Sequence, residues 1–303
     1  MSGIRSVALG IAVLASVLVI SRSFRNSSVS ANEEFNKTWK QNKAELTTYE
    51  LTQARYGELH TGIATLIFVT EEHDSRRQVK IDSPGDTLGK SPATMLKCNM
   101  VKNFTTGMYP YSMMTSVFTP LDSGARYHKI TCSSQEWCGH TYAQINCKGS
   151  LMHLRSYSYF EEEGDSDTSF YNTQLLEDAI WNLMRLHPDQ LPLGEHFMFP
   201  SIMYCRLAHI SIQAYRVNAL LKKEKKQSVY KLEYPQLQRS ITIWFNTAYP
   251  HEIEKWEETY RDGFGNNSKV LTTTAVRKKR IWTDYWNKHT TKDKKMRQQL
   301  GLE

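Results

Sequence analysis

Residues 133–144 read SSQEWCGHTYAQ, setting a carboxylate, a thiol and an imidazole at alternate positions: Glu136, Cys138 and His140. A thiolate beside an imidazole, with a carboxylate behind it, is the make-up of a cysteine nucleophile. On one long strand over 127–146, alternation turns Glu136, Cys138, His140 and Tyr142 to the same face, with successive members about 6.5–7 Å apart. Trp137 then packs inward from the other face. This makes Cys138, His140 and Glu136 the candidate catalytic residues of a thiol hydrolase or thiol redox enzyme. No sharp turn or helix start, of the kind whose N–H groups depress a thiol pKa, is evident beside Cys138. A chain reversal at Gly139–His140 would instead set Cys132 opposite Cys147, within reach of a disulfide. The turn signal in NCKGS, residues 146–150, is stronger and favours the long strand.

The remaining chemistry is sparse. The five cysteines (Cys98, Cys132, Cys138, Cys147, Cys205) are odd in number, so at least one thiol stays unpaired in a monomer. Their spacings fit no C-x-x-C metal or redox motif, and a metal site would need His128 or His153 brought in from elsewhere. No metal and no cofactor is expected. Tyr109 and Tyr111 of MYPYS, with Trp137 and Tyr142, are candidates for lining a ligand groove.

Other segments fix the setting. Ser6–Ile20 runs 15 residues without a charge, behind a single arginine. That matches the core of an export signal and falls short of the ~20 residues that span a bilayer. Val29-Ser30-Ala31 is an acceptable cleavage site. The expectation is therefore a signal peptide or short membrane anchor over 1–31, and a periplasmic-side envelope location. Without Arg5, Arg22 and Arg25 the basic count falls from 38 to 35 against 31 acids, a net of +4. Such a charge keeps a protein soluble and is no nucleic-acid footprint. The basic run Arg277–Arg280 reads as protection of an edge strand.

Periodicity gives the architecture. Period-two runs such as residues 58–72 and 95–106 alternate with short polar turns. Three helices are expected: a short one over 32–45, one over 172–188 with Leu175, Leu176, Ala179, Ile180, Leu183 and Met184 on one stripe, and one over 250–265 with Ile253, Trp256 and Tyr260 on one face. The class is mainly β (α+β): a large curved antiparallel sheet or half-barrel whose concave face is filled by the mid-chain helix or by an apolar ligand. A single domain over 32–288 is expected, followed by a disordered basic tail over 289–303.

The stretches RYGELHTGIATLIFVTE, TTGMYPYSMMTSVF, QEWCGH and GFGNNSKVLTTTAVRKK resemble an uncharacterised family of bacterial envelope proteins often labelled "septum formation inhibitor Maf". The chain departs from true Maf nucleotide pyrophosphatases, which open with an S-x-S-P-R-R-like run. Here Asp74–Gln78 reads DSRRQ, without the proline. It also lacks the N-terminal lipoprotein cysteine of many relatives. The strand–turn–strand opening is similar to half-barrel envelope proteins of the lipoprotein-carrier type. The resemblance brings no catalytic residues with it. The favoured reading is an exported, non-enzymatic envelope protein whose curved sheet binds a lipid-like ligand or a partner, and the alternative is the thiol enzyme built on Cys138 and His140.

Overall fold

Side chains that alternate between two environments dictate strands, and here the strands assemble into one sheet. The computed structural model describes residues 34–83, 85, 87–121, 128–171 and 175–302. The leader, the cleavage site at Ala31 and the expected helix caps Asn32, Asn172 and Thr173 lie outside these residues. The chain divides into units 1–42 and 43–303. In the first, the helix α1 spans 34–39.

The second unit carries β1 (Ala44–Arg55), β2 (Glu58–Asp74), β3 (Val79–Lys80), β4 (Pro92–Thr106), β5 (Tyr109–Pro120), β6 (Lys129–Glu136), β7 (Gly139–Lys148), β8 (Leu151–Ser158), β9 (Ser166–Tyr171) and β10 (Leu175–Leu176). After helix α2 (Glu177–Leu186) come β11 (Gly194–Phe199) and helix α3 (Ile202–Ala208). Then follow β12 (Tyr215–Lys223), β13 (Gln227–Tyr234), β14 (Arg239–Asn246), β15 (Ile253–Asp262), β16 (Lys269–Thr283) and α4 (Lys295–Gln299). The order across the sheet is β10-β11-β12-β13-β14-β15-β16-β1-β2-β4-β5-β6-β7-β8-β9, with β3 beside β2. Every pairing is antiparallel except β10 with β11. The expected large antiparallel sheet is therefore present.

The two edges of this sheet are neighbours in sequence. From Tyr171 at the end of β9 to Leu175 at the start of β10 is four residue steps, about 13–14 Å at most. Phe170 of β9 and Phe199 of β11 meet with ring centroids 5.1 Å apart. The sheet is thus rolled until its edges approach, and α2 and α3 fill the inside.

Helix α2 is buried on every side, from Glu177 to Arg185. A helix so enclosed must have each polar side chain met by a partner. Arg185 makes a two-pronged pair with Glu45 of β1 (2.9 and 2.7 Å) and donates from Nε to the Pro250 carbonyl. Glu177 accepts both prongs of Arg239 from β14 (2.6 Å each), and Arg239 Nε also reaches Glu258 of β15 at 2.8 Å. Asn182 donates to the carbonyls of Leu96 and Val117 on β4 and β5. The apolar remainder packs on the wall: Trp181 stands edge-on to Trp256, which lies against Tyr49.

Several sequence expectations are corrected. Leu175 and Leu176 form β10 rather than the first helical turn. Residues 253–262 are strand β15, not a helix. Trp256, Glu258, Tyr260 and Asp262 all point inward, and the two inward acids hid the two-residue period. Helix α3 carried no expectation, because 202–208 is apolar nearly throughout. The basic run lies on β16, which pairs with both β15 and β1 and is no edge. Its arginines are matched across the sheet, Arg277 with Glu254 at 2.8 Å and Arg280 with Glu252. The tail is folded: Leu300 is buried against Ala44, Leu46 and Val69, and its carbonyl accepts from Thr48 Oγ1 at 2.6 Å. It roofs the outer face of β1, leaving that strand buried on both sides.

Two measurements test this core. Arg239→Met leaves Glu177 buried without its counter-charge and Glu258 with only Lys102, 4.0 Å away, and should cost about 3–5 kcal/mol in urea unfolding. A loss below ~1 kcal/mol would contradict the anchoring role. The second concerns Asp178, whose carboxyl is pushed up to about 6, first by burial, against the opposing hydrogen bonds from the Ile202 N–H and Ser201. A carboxyl raised in the fold gives stability that is present below its unfolded value and lost as the pH rises through its folded one. A rise from 3.8 to about 6 amounts to about 3 kcal/mol. The stability difference between the wild type and Asp178→Asn should shift by about 2 kcal/mol of this between pH 4 and 6.5, against the wild type. A flat difference would refute the assignment.

Candidate functional site

The strand expected over 127–146 is a hairpin. Glu136 pairs with Gly139, so Trp137 and Cys138 are its two-residue turn. This overturns both the long strand and the reversal at Gly139–His140, since Cys132 faces Ala143 and Cys147 faces Met152. All five cysteines are free. The turn also separates the residues that the long strand would have aligned. Glu136 is buried on the inner face, while His140, opposite Gln135, is exposed on the outer face. Cys138 is exposed at the tip. Trp137 is 65% exposed rather than packed inward, and touches Tyr109 edge-on at 6.1 Å. Tyr142 holds its ring outside, where its hydroxyl donates to Gln144 at 2.8 Å. No hydrogen bond joins Cys138 to His140 among the described residues. The glycine of the motif has a packing role: a Cβ on Gly139 would lie 2.6 Å from the Tyr159 ring.

Glu136 instead belongs to a buried polar cluster under the hairpin. Its Oε1 accepts from Arg206 of α3 at 2.9 Å, and the same guanidinium reaches Glu163 Oε1 at 2.9 Å and covers the Phe160 ring at 3.8 Å. His209 Nδ1 stands 3.2 Å from Glu163. To reach it, His209 takes a left-handed conformation (φ 52°) at the end of α3, uncommon for a residue with a side chain. Such a departure is most often kept where the side chain's position matters. Tyr111 lies deeper: its hydroxyl meets that of Tyr56 at 2.8 Å, and Arg55 stacks over the Tyr56 ring at 4.2 Å. Arg55 also donates to the Leu207 carbonyl at 2.6 Å, tying β1 to the end of α3.

The electrostatics suit holding rather than attacking. Burial pushes the Glu163 carboxyl up, but hydrogen bonds from His209 and Ser158 and the Arg206 charge outweigh it, so its pKa lies below the ordinary carboxylate value. Burial, then the Tyr56 hydrogen bond, raises the Tyr111 hydroxyl, with Arg55 opposing.

Beside this cluster lies a cavity of about 330 Å³ between the inner faces of β6–β9 and helix α3. Ala143, Leu154 and Phe170 line it from the sheet, and Ile202, Cys205 and Ile212 from the α3 side. Ser156, Ser166 and Thr168 add hydroxyls, while Arg206, His209 and Glu163 form a charged end. Cys132 and Cys205 also border it, but burial raises both thiols, Cys132 to about 12, so they remain protonated. No group of three or more His, Cys, Asp or Glu residues among the described ones is arranged to hold a metal. Of the candidate lining residues, Tyr142 borders this cavity. Tyr111 and Trp137 border a second, open groove on the other face, while Tyr109 stands at the rim. Sequence reading missed Arg206, His209, Glu163, Arg55 and Tyr56. One signal was available: an arginine inside the apolar run MYCRLA signals a buried, partnered charge.

A native thiol titration with an aromatic disulfide reagent follows from this placement. One thiol per chain should react quickly, and Cys138→Ser should remove that reaction without lowering the melting temperature. Fast reaction of two or more thiols would contradict the burial of the other four.

No family model matches the chain, and no curated protein matches it. Among solved structures it is similar to a porin-like protein from Bacteroides uniformis, at 10% identity over 78% of this chain and 95% of that one, with a TM-score of 0.19. At that level the likeness carries no argument. No helix among the described residues is long and apolar enough to cross a membrane.

Proposed function

We propose that the chain is a non-catalytic cell-envelope protein that holds a small lipid-like molecule in the cavity between β6–β9 and α3. The cavity itself carries this reading. Its volume of about 330 Å³ lies within the range of small-molecule sites, roughly 300–1,000 Å³. Its walls mix apolar side chains such as Ala143, Leu154, Phe170 and Ile202 with the hydroxyls of Ser156, Ser166 and Thr168, beside the charged Arg206, His209 and Glu163, which suits a molecule with an apolar body and polar groups. A two-chain lipid is too large to be enclosed whole, so the fitting ligand has one short chain or one ring system. The apolar run Ser6–Ile20 supports an envelope location, where such molecules are found.

The environment-sensitive dye N-phenyl-1-naphthylamine tests the proposal. It should brighten on a single saturable site, and a single-chain fatty alcohol should displace it. Ala143→Phe fills the cavity from a position that is already buried. That variant should weaken dye binding at least about tenfold while its melting temperature holds. Dye binding that Ala143→Phe leaves unchanged would overturn the proposal.

A further inference from the structure

Apart from Glu136, the side chains of the QEWCGH motif lie outside the core, and the cavity leaves them unexplained. The motif's surroundings form a second site. An open groove of about 570 Å³ runs across the outer face of β2, β4, β5 and β6 and ends at Trp137. Thr61, Ile63, Asn103, Thr105, Ser112 and Gln135 border it from outward positions. The pairing register places four polar residues in one row. Asn103 faces Ser112, Ser112 faces Gln135, and Gln135 faces His140. With strands ~4.8 Å apart, the row from β4 to β7 is about 14 Å long.

Two features set this row apart from the rest of the outer face. Its hydrogen-bonding groups are uncommitted: among the described residues the side chains of Asn103, Ser112 and Gln135 bond to no other group. One step away the same residue types satisfy each other, as Ser116 with Asn99 at 2.7 Å, and Tyr142 with Gln144, which continues to Asn146. The second feature is charge. The groove has no lysine, arginine or aspartate, and its one glutamate, Glu136, turns its carboxylate inward to Arg206. A phosphate, a nucleic acid or an acidic peptide would find no counter-charge there, and neither would a cation.

A neutral, hydroxyl-rich molecule fits these terms. The face of an indole carries negative charge density, which attracts the C–H bonds on the flat side of a sugar ring. Planar amides offer a donor and an acceptor side by side, matching vicinal hydroxyls. We infer that the groove beside Trp137 binds a neutral glycan, with the indole stacking on a sugar ring and Asn103 and Gln135 bonding its hydroxyls. The row is long enough for a short oligosaccharide. This site is separate from the cavity, and either can stand without the other.

Isothermal titration of the full chain with maltotetraose, cellotetraose, tetra-N-acetylchitotetraose and mannotetraose tests the inference. At least one should bind at a single site with a dissociation constant below about 10 mM. Trp137→Ala should weaken it at least about tenfold, and Gln135→Ala and Asn103→Ala several-fold each. Cys138→Ser, at the next residue, should leave it unchanged. Trp137 is exposed, so its variant should keep the wild-type melting temperature, and Trp137→Phe should retain part of the binding. Three outcomes overturn the inference. The first is no binding by any of the four sugars. The second is binding insensitive to Trp137→Ala. The third is Trp137-dependent sedimentation with phosphatidylcholine vesicles in the absence of sugar binding, which would assign the aromatic rim to a bilayer surface.

Discussion

The two-pronged ion pairs between α2 and the sheet set the terms for everything around them. Arg239 joins Glu177 on the helix to Glu258 on β15, and Arg185 joins the other end of the helix to β1. Each guanidinium sits fully buried. Their worth lies less in net stability than in position, since a hydrophobic replacement of both partners is often neutral or better. A charge inside a rolled sheet tolerates one arrangement: a helix shifted by one turn would strand several charges at once. The pairs therefore fix the depth and rotation of α2. Asp178, through the Ile202 N–H, then fixes where α3 begins. Since α3 supplies Arg206 and one wall of the cavity, the site inherits its geometry from these pairs.

The hairpin β6–β7 divides two chemistries by alternation alone. Inward positions on β6 and β7 (Cys132, Glu136, Ala143) meet the cavity or its charged end, while outward ones (Gln135, His140, Tyr142) meet solvent. A turn of two residues preserves that alternation, whereas a turn shifted by one residue would exchange the faces. The constellation that looked catalytic in sequence is distributed by this geometry over an inner face, a tip and an outer face.

What could be read in advance follows from what is local. The antiparallel sheet and the burial of Ala179, Ile180, Leu183 and Met184 were legible, because period-two runs and an apolar stripe are properties of neighbouring residues. Strand β15 was misread because Glu258 and Asp262 point inward to partners on β14 and in the β1–β2 turn, which no local pattern reveals. The tail was misread because Leu300 gains its worth only when the outer face of β1 is present to receive it. The cavity's charged end escaped for the same reason: Glu136, Glu163 and Arg206 lie far apart in sequence and are joined only by the fold. Glu136 was singled out, but for a role with Cys138 that the hairpin turn precludes.

The near-meeting of the sheet's edges has one more consequence. A closed barrel has a fixed circumference, because widening it breaks ladder hydrogen bonds. Here β9 and β10 share no ladder among the described residues, and the cavity lies against β8 and β9 on one side of that seam. Curvature at that seam is therefore set by side-chain packing, such as Phe170 of β9 edge-on to Phe199 of β11, rather than by ladder hydrogen bonds among the described residues.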